Sequence, residues 1–323
     1  MVEVGDLLLA MYGATSGDIA VSKIKGAINQ AILCIRTKQN KKFIESVWNK
    51  HVSKNLRKYL QGGQGNLSAD IVKGISFFFP TLKEQEKIAN LVSLLDERIT
   101  TQNKIIDKLQ SLIKGLEDNL LDNPLWKKTY LRSFMQFFPT NSLSWEQLSY
   151  KEGAIRNLHY GLIHSFQTRG INSASLPMIK NEAIPKQYTL CQVGDVAFAD
   201  ASEDTSEIAK SVEFADTIEG DTICGLHTIH GRDIKNRTVV GFKGFAFNSR
   251  YFHNQIKRLA QGTKVFSITA NNLSSCYVYL PDLETQKAIV NLLKTYEAKL
   301  IVSKRLLEHY EKQKQYLLRQ MFI

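Results

Sequence analysis

Three polar loops in the second half of the chain carry side chains that suit DNA. They are SFQTRGIN (165–172), GLHTIHGRDIKNR (225–237) and QGTKVFSITANN (261–272). Arginine and lysine suit guanine edges, asparagine and glutamine suit adenine, and lysine, serine and threonine suit phosphates. Any one such residue is more often an ordinary loop residue, but several such loops in a basic region favour a DNA-contacting surface. The predicted contacts in these loops are Arg169, Asn172, His227, Thr228, Arg232, Arg237, Thr263, Lys264, Ser267 and Asn271.

No motif in the chain predicts a catalytic centre. The sequence has no G-x-x-x-x-G-K-[ST] phosphate loop and no H-E-x-x-H metal motif. DNPLW (122–126) is similar to the N-P-P-Y loop of amino-methyltransferases, but its second proline is missing and the end of a helix explains it. The acidic residues of PDLETQK (281–287) lie too close together for the usual nuclease metal site. We therefore predict no catalytic residue, no metal site and no cofactor bound by this chain.

The charge of the chain favours a polyanionic partner. Its 42 basic and 31 acidic residues give a formal net charge of +11. Residues 1–82 carry 11 basic and five acidic side chains, whereas residues 83–121 carry six and seven. The excess of positive charge therefore lies mainly outside the segment 83–121. A basic globular region suggests that the partner is a nucleic acid. Many proteins of similar charge bind none, so charge alone does not decide between these alternatives.

Length and cysteine usage predict two domains in the cytoplasm. A chain of 323 residues is long enough for two domains with their own cores. No apolar run reaches the length of a membrane span, and no signal peptide opens the chain. The four cysteines are far apart and form no C-x-x-C, which predicts buried apolar residues rather than a zinc or disulfide framework. They are Cys34, Cys191, Cys224 and Cys276.

A long helix at 83–121 is predicted from apolar residues spaced alternately by four and three. This spacing is typical of a coiled-coil seam, and at about 1.5 Å per residue the helix would be roughly 58 Å long. Nine of the ten seam positions are apolar. They are Ile88, Val92, Leu95, Ile99, Gln102, Ile106, Leu109, Ile113, Leu116 and Leu120.

The same element occurs a second time, 201 residues later. PDLETQKAI (281–289) matches PTLKEQEKI (80–88) as P-x-L-x-x-Q-x-x-I, and the heptad phase continues to the end of the chain. Polar Gln102 then corresponds to polar Ser303, and a polar pair in a seam commonly fixes its register. Two unrelated amphipathic helices are the alternative, which the shared motif and phase disfavour. The second seam is Ile289, Leu293, Tyr296, Leu300, Ser303, Leu307, Tyr310, Lys314, Leu317 and Met321.

The two globular regions are also similar to each other. EVGDLLLAM (3–11) matches QVGDVAFAD (192–200), and residues 43–80 match 247–281 in their helix, glycine loop, strand and proline. About sixty-five residues precede the match in the second region but only three in the first. We therefore expect the first domain to be N-terminally incomplete and to expose apolar strand edges.

These features together resemble the specificity (S) subunits of type I restriction–modification enzymes. The motifs that carry the resemblance are the repeated P-x-L-x-x-Q-x-x-I, GDLLLAMYGATSGDIA (5–20), INQAILCIR (28–36), GGQGNLS (62–68), GLHTIHGR (225–232) and QGTKVFSI (261–268). The resemblance covers essentially the whole chain. It adds four residues to the predicted DNA contacts, namely Tyr12, Asn29, Gln64 and Asn66.

The resemblance implies an α+β protein with two mixed α/β target-recognition domains separated by two long antiparallel coiled-coil helices. The predicted boundaries are 1–82 for the incomplete first domain, 83–121 for the first helix, 122–283 for the second domain and 284–323 for the second helix. Each domain would read one half of a bipartite site in double-stranded DNA, and the helices would fix the spacing.

The resemblance also implies partners. Two DNA methyltransferase subunits and a motor-nuclease subunit would dock on this chain, and S-adenosylmethionine, ATP and magnesium would belong to them. Two other hypotheses stay open, a coiled-coil scaffold without sequence-specific DNA binding and a free-standing nuclease or methyltransferase.

We expect Arg232→Ala and Lys264→Ala to weaken DNA binding without unfolding the chain.

Overall fold

The computed structural model describes residues 1–59, 67–166 and 170–321. The chain divides into two compact units, of which the first comprises Met1–Asp107 and Ile301–Ile323 and the second comprises Lys108–Leu300. None of the helices in the described part has the length and apolar character of a membrane span.

The first unit contains a three-stranded antiparallel sheet with the strand order β2-β1-β3. Its elements are β1 (Leu7–Ala10), a 3-10 turn (Gly13–Thr15), β2 (Ile19–Val21), β3 (Ile32–Ile35), α1 (Lys41–Tyr59) and α2 (Ala69–Lys73). Successive side chains of a strand point to opposite faces, so Leu7 and Leu9 of β1 point to the same face, and both are fully buried. Trp48 of α1 packs with Leu9, and its indole N–H donates to the carbonyl of Gly17 at 2.7 Å.

The second unit contains two four-stranded sheets, ordered β11-β9-β13-β5 and β12-β7-β8-β6, and two strand pairs, β10-β14 and β15-β4. The strands are β4 (Lys127–Tyr130), β5 (Met135–Phe138), β6 (Leu148–Ser149), β7 (Arg156–Leu158), β8 (Met178–Ile179), β9 (Val196–Ala199), β10 (Ala201–Ser202), β11 (Ser211–Glu213), β12 (Thr222–Cys224), β13 (Thr228–Asp233), β14 (Phe266–Ser267) and β15 (Tyr277–Leu280). The helices are α4 (Tyr160–Ser165), α5 (Phe242–Ala246), α6 (Arg250–Leu259) and α7 (Ala270–Ser275), with 3-10 turns at Leu131–Ser133, Trp145–Gln147, Ser173–Ser175 and Asn181–Ala183.

Strand β9 separates two cores of the second unit. Val196 and Phe198 face a core that includes the phenylalanines of α5 and α6. Ala197 and Ala199 face a second core, which contains Phe214. All four residues of β9 are fully buried, because both faces of the strand are covered. This explains why the strand sequence VAFA does not alternate apolar with polar residues.

A buried aspartate holds the start of β1 in the first unit. Asp6 accepts hydrogen bonds from the backbone N–H of Glu3 at 3.0 Å and from Arg36 Nε at 3.1 Å. Arg36 also donates to the carbonyl of Met1. Gly5, directly before the aspartate, has φ +89°, a left-handed conformation that favours glycine. The aspartate therefore ties the turn before β1 to the end of β3.

The second unit repeats this arrangement almost atom for atom. Asp195 accepts from the N–H of Gln192 at 2.8 Å and from Arg232 Nε at 2.8 Å, and Arg232 also donates to the carbonyl of Leu190. Gly194 has the same φ, +89°. We call the two arrangements the aspartate clasps. They confirm that the Val-Gly-Asp match in the sequence reflects a structural duplication.

The two sheets differ at one edge. Strand β13 lies between β9 and β5, whereas its counterpart β3 pairs with β1 alone among the described residues. All four residues of β3 are half-buried, whereas Thr228, Ile229 and His230 of β13 are buried. The strand edge that we expected to be exposed in the first unit is therefore present at β3.

The two long helices are α3 (Leu82–Leu121) and α8 (Leu283–Met321), each within one residue of its predicted start. None of the twenty predicted seam positions is exposed. Beyond the first residue of each helix, the exposed large apolar side chains all lie off the seam. They are Leu91, Leu94, Ile105, Leu112, Leu292, Val302, Leu306 and Tyr316.

The seam is antiparallel within the first unit. Gln102 Nε2 donates to the carbonyl of Ser303 at 3.1 Å, and Asp96 pairs with Lys314 at 2.5 Å. Partner numbers therefore rise along α8 as they fall along α3. The predicted contact between positions 102 and 303 is confirmed, although the amide bonds the backbone of Ser303 and not its hydroxyl. The ion pair with Asp96 explains why the seam tolerates lysine at position 314.

The glutamine of the repeated motif joins the second unit to α8. Gln286 is fully buried, and its Oε1 accepts from the N–H of Val239 at 3.0 Å. Its Nε2 donates to the carbonyls of Arg237 and Pro281, both at 3.0 Å. The side chain satisfies backbone groups that would otherwise be buried without partners.

Gln85 makes the equivalent joint in the first unit. Its Oε1 accepts from the N–H of Asn40 at 3.0 Å, and its Nε2 donates to the carbonyl of Pro80 at 2.9 Å and to Gln39 Oε1 at 2.7 Å. The motif P-x-L-x-x-Q-x-x-I thus encodes a hydrogen-bonded joint between a globular region and the start of a long helix.

We predict that Gln286→Ala lowers the free energy of unfolding by about 2 kcal/mol, because it leaves the N–H of Val239 buried without an acceptor. Gln313→Ala, at an exposed position of the same helix, should change it by less than about 0.5 kcal/mol. Urea denaturation measures both. Equal effects of the two variants would show that Gln286 is not a joint.

The seam predicts unequal effects for two adjacent leucines. Leu95 is buried in the seam, whereas Leu94 is 59% exposed. Leu95→Asp places a charge in the seam and should lower stability by about 3 kcal/mol or more, while Leu94→Asp should have little effect. The melting temperatures of the two variants give the comparison, and a tolerated Leu95→Asp would contradict the seam.

Candidate nucleic-acid interface

A closed loop presents the polar residues at 261–267. Gln261 and Ser267 exchange backbone hydrogen bonds of 3.0 and 2.8 Å across its base. Gly262 has φ +124°, and a Cβ there would lie 1.9 Å from the carbonyl oxygen of Val265. Only glycine fits this position, so the loop closes tightly and leaves Thr263 and Lys264 exposed at its tip.

The same edge carries His227. β14, at the end of the loop, pairs with β10, and the N–H of Ile268 donates to the carbonyl of Asp200 at 2.9 Å. Asp200 in turn donates its N–H to the carbonyl of His227 at 3.1 Å, and Asp200 Oδ1 lies 3.1 Å from His227 Nδ1. The imidazole is about half exposed. We call the surface formed by Asp200–Ser202, His227 and the loop at 261–267 the loop surface.

A row of rings adjoins His227. The ring centroids of Trp145 and His159 are 4.4 Å apart, those of His159 and Tyr160 4.8 Å, and those of Tyr160 and His227 5.3 Å. Burial, and then the nearby His227, lower the pKa of His159, so its ring is neutral at physiological pH. Trp145 is 45% exposed. The row connects His227, through two further rings, to this exposed aromatic side chain.

Sequence reasoning missed Asp200, Trp145 and Tyr160. Asp200 ends the strand VAFAD, where it looks like a solvent-facing residue. Trp145 lies within a Ser-x-x-Gln capping box, from Ser144 to Gln147, which fixes the turn Trp145–Gln147. The box is visible in the sequence and locates the turn, but it gives no sign that the tryptophan lies near His159.

Other predicted residues of the second unit are exposed outside the loop surface as we define it. Asn271 lies in the first turn of α7. Asn172 caps the 3-10 turn after it, accepting from the N–H of Ala174 at 2.9 Å. Arg237 lines a groove of about 570 Å³ together with Lys127 and Lys128. Asn271, Asn172 and Arg237 remain predicted contacts, whereas Arg169 lies outside the described residues.

Two predicted contacts are corrected by their surroundings. Thr228 is 3% exposed, and its hydroxyl donates to the carbonyl of Gly225 at 2.6 Å. The guanidinium of Arg232 is committed to the aspartate clasp, with two hydrogen bonds of 2.7 and 2.8 Å to the fully buried Asp195. His230 Nε2 donates the third side-chain bond to that carboxylate, at 2.7 Å. We therefore assign Thr228 and Arg232 to the framework of the domain.

Two cysteines that are 33 residues apart in sequence meet in the core. The Sγ atoms of Cys191 and Cys224 are 3.6 Å apart, and ligand atoms of both lie within 4.8 Å of one on His230. The expectation that the cysteines are buried apolar residues holds for these two, but they are not far apart in space. The hydrogen bond with Cys191, and burial, raise the pKa of the Cys224 thiol, which keeps it protonated.

In the first unit, two of the four predicted contacts, Tyr12 and Asn29, are exposed. Tyr12 is 43% exposed and directly follows the end of the segment that matches β9. Asn29 is exposed, and its Oδ1 accepts from the N–H of Ala31 at 3.0 Å. Gln64 and Asn66 lie outside the described residues.

The backbone of the loop surface is duplicated, but its side chains are not. In the first unit, Met11 donates its N–H to the carbonyl of Ala31 at 2.8 Å, and Leu67 donates to the carbonyl of Met11 at 2.8 Å. These bonds repeat those of Asp200 with His227 and with Ile268. One backbone arrangement therefore carries Asp200 and His227 in the second unit and Met11 and Ala31 in the first, where Met11 is buried in the core with Leu9.

A protein-family model matches most of the chain. The model is described as the type I restriction modification DNA specificity domain, and it matches residues 2–111 and 225–311. Two relatives from Methanocaldococcus jannaschii are also similar. The type I restriction enzyme MjaVIII specificity subunit is 23% identical over 337 aligned residues, which cover 97% of this chain and 77% of that protein. The putative type I restriction enzyme MjaX specificity subunit is 25% identical over 277 residues, covering 81% and 62%.

Two solved structures share the fold at 15% sequence identity and a TM-score of 0.61. One is the S subunit of a type I restriction–modification system from M. genitalium, with 100% of this chain and 84% of that chain covered. The other comes from a study of complex assembly and conformational transition in the type I R-M system, with 99% and 82% covered. Their likeness confirms the predicted class, mixed α/β domains with two long helices.

The aspartate clasp predicts that Arg232→Ala destabilises the second unit by about 3 kcal/mol, because it leaves a buried carboxylate without its main partner. Arg237→Ala, at an exposed position in the segment after the same strand, should cost little.

Burial raises the pKa of Asp195, but the bonds from Arg232 and His230 lower it more, so the net pKa lies below the ordinary value. The clasp therefore stabilises the fold above about pH 4 and loses this contribution as pH falls through the pKa of the folded state. The difference between Arg232→Ala and wild type should shrink below about pH 4 in thermal melts. A difference that does not change with pH would contradict a role for the clasp.

Proposed function

The chain belongs to the type I restriction–modification DNA specificity domain family, and we propose that it reads double-stranded DNA through the loop surface. It is a specificity subunit of such a system and is non-catalytic by itself. The observation that carries the proposal is the convergence of His227, Asp200 and the glycine-closed loop at one edge of the second unit.

The chemistry of the loop surface suits both parts of a DNA contact. Lys264, at the tip of a loop whose base is closed by hydrogen bonds, is placed to neutralise a phosphate, and such contacts position a protein on the duplex. Asp200 and His227 offer an acceptor and a polarisable ring to base edges in a groove. Because the backbone there is fixed by hydrogen bonds, these side chains are held before DNA arrives.

The duplicated backbone supports a bipartite site. Each unit presents the same hydrogen-bonded frame, with Asp200 and His227 in one copy and Met11 and Ala31 in the other. His227 is about half exposed at this frame, whereas Met11 is buried in the core of the first unit, so the two units offer different side chains to DNA. We infer that the two units read different half-sites, and that the long helices set their spacing.

Methyltransferase subunits would dock on the long helices. Leu91, Ile105 and Leu112 of α3 are exposed and fall at one heptad position, and Leu292 and Leu306 of α8 fall at the same position of the second copy. The same position also carries Arg98 and Lys299, so a surface of apolar and basic side chains is repeated on both helices, as expected for two copies of one protein partner. The motor-nuclease subunit would join this complex, and S-adenosylmethionine, ATP and magnesium would be bound by the partners.

The test of DNA reading is co-expression with the cognate methyltransferase, followed by methylome sequencing and DNA-binding assays of the complex. A new bipartite methylated motif is expected. Lys264→Ala should weaken binding about threefold to tenfold for all sequences and reduce the slope of log affinity against log salt by about 1. His227→Ala should instead weaken the base preference at one position of the methylated motif.

Lys304→Ala, at an exposed position of α8, serves as the matched control and should leave binding unchanged. If no motif is methylated, or if DNA binding has no sequence preference, the scaffold hypothesis replaces this proposal.

A further inference from the structure

Two cysteines and a histidine from three different segments meet in the interior of the second unit. Cys191 is 7% exposed, Cys224 is 3% exposed and His230 is 1% exposed. The two Sγ atoms are 3.6 Å apart, and one ligand atom from each of the three residues lies within 4.8 Å of the other two. Thiolate sulfur and imidazole nitrogen are ligands that Zn²⁺ prefers in proteins. The three side chains therefore form a candidate set of metal ligands, which we call the Cys₂His cluster.

The spacing within the Cys₂His cluster suits a tetrahedral ion. Bond lengths of about 2.3 Å to sulfur and about 2.0 Å to nitrogen place two sulfur ligands about 3.8 Å apart in a tetrahedral zinc site. The observed distance of 3.6 Å between the sulfurs of Cys191 and Cys224 is close to this value. Three protein ligands are also the number found in zinc sites whose fourth position is taken by a water. Small side-chain movements would therefore be enough to surround the ion.

The backbone holds all three ligands in place without a metal. Cys191 lies beside β12, where its N–H donates to the carbonyl of Thr222 at 2.8 Å. Cys224 ends β12, and its carbonyl accepts from Asn141 Nδ2 at 2.9 Å. His230 lies in β13, which pairs with a strand on each side. Ligands on strands that are fixed in this way need little ordering when the ion binds.

Asp195 orients the imidazole of His230. Because Nε2 donates to the buried carboxylate at 2.7 Å, the lone pair of the neutral ring lies on Nδ1. Metal-binding histidines commonly donate their other ring N–H to a carboxylate, which fixes the tautomer and makes the ligating nitrogen more basic. The clasp aspartate therefore supplies the outer partner that such a histidine requires.

The charges of the cluster favour a divalent cation. Two thiolates and Zn²⁺ sum to zero, whereas a monovalent cation would leave one negative charge buried without a partner, which is costly. Asp195 already has its own counter-ion in Arg232, at 2.7 Å. Binding of the ion would displace one proton from each thiol to the solvent.

The aspartate clasp does not by itself require the Cys₂His cluster. In the first unit, the equivalent positions carry Val2, Ile28 and Cys34. Cys34 Sγ donates to Asp6 at 3.5 Å and so takes the place of His230 on the clasp carboxylate. The same frame therefore exists with one thiol and two apolar residues. The complete ligand set belongs to the second unit alone of the two copies.

We propose that the second unit binds Zn²⁺ through Cys191, Cys224 and Nδ1 of His230. Two of these ligands lie at the ends of the segment 224–230, which carries His227 between them. His227 has φ +54°, a left-handed conformation that is costly for a residue with a side chain. An ion bound to both ends of this segment would stabilise the turn that exposes His227. Zinc binding itself does not depend on the reading of DNA.

The test uses the full-length chain, reduced with a phosphine and stripped of metal with a chelator. Co²⁺ should bind with one ion per chain and produce a thiolate-to-cobalt charge-transfer band, and Zn²⁺ should displace it. Cys224→Ala should weaken Zn²⁺ binding more than about a hundredfold, because loss of a ligand exceeds the loss of an outer partner. Cys34→Ala, which removes a thiol from the first unit, is the matched control and should bind as the wild type does.

A second variant and a second measurement separate metal binding from folding. His230→Gln keeps an N–H donor for Asp195 but lacks the ligand nitrogen, and it should also weaken Zn²⁺ binding more than about a hundredfold. At about a hundred times its dissociation constant, Zn²⁺ should raise the melting temperature of the wild type by roughly 5 °C or more. It should leave the melting temperatures of Cys224→Ala and His230→Gln unchanged.

Two outcomes would overturn the proposal. One is a reduced chain that binds no stoichiometric Zn²⁺, including the case in which the oxidised chain carries a disulfide between Cys191 and Cys224. The other is Zn²⁺ binding that is equally strong in the wild type, Cys224→Ala and His230→Gln, which would place the ion elsewhere on the chain.

Discussion

The hydrogen bonding of the buried Asp195 carboxylate is the interaction on which the structure of the second unit depends. It joins the turn before β9 to Arg232 near the end of β13, and thereby fixes how these two central strands lie against each other. Asp200 and His227 lie at the far ends of the same two strands. Their contact at 3.1 Å is therefore a consequence of a charge pair buried elsewhere in the sheet. A carboxylate enclosed in this way is stable only while it is fully paired, which makes the geometry of the loop surface sensitive to a residue that need not touch DNA.

A second constraint connects this sheet to the long helices. Gln286 accepts one hydrogen bond from the N–H of Val239 and donates two to backbone carbonyls. The start of α8 therefore cannot rotate without breaking these hydrogen bonds. Gln85 does the same for α3. The seam itself is made mostly of apolar contacts, which are not directional, and the polar contact of Gln102 with Ser303 supplies the missing register. The orientation of the long helix in each unit therefore depends on a few buried side-chain amides within a larger apolar surface.

The sequence predicts the helices well and the site poorly, for a physical reason. A coiled-coil seam requires an apolar side chain at each of its ten positions. Each apolar residue therefore adds to the same helix prediction, and α3 begins within one residue of its predicted start. A site residue is defined by what lies opposite it in space. Arg232 is of a residue type that is typical of DNA contacts. Its guanidinium instead binds Asp195, which lies 37 residues earlier in the sequence. Lys264 has no such competitor in the loop at 261–267 and stays exposed. Trp145 and the pair Cys191–Cys224 show the same limit, because nothing local indicates their neighbours.

The internal duplication separates what the frame requires from what each copy is free to vary. The clasp aspartate, the glycine before it and the joint glutamine are the same residues in both copies, and each clasp aspartate accepts from a backbone N–H three residues before it and from an arginine. The residues between those points differ, with Asp200 and His227 replaced by Met11 and Ala31 on identical backbone bonds. Met11 is buried in the core, whereas His227 is about half exposed, so the backbone frame is kept while the side chains that reach the surface change.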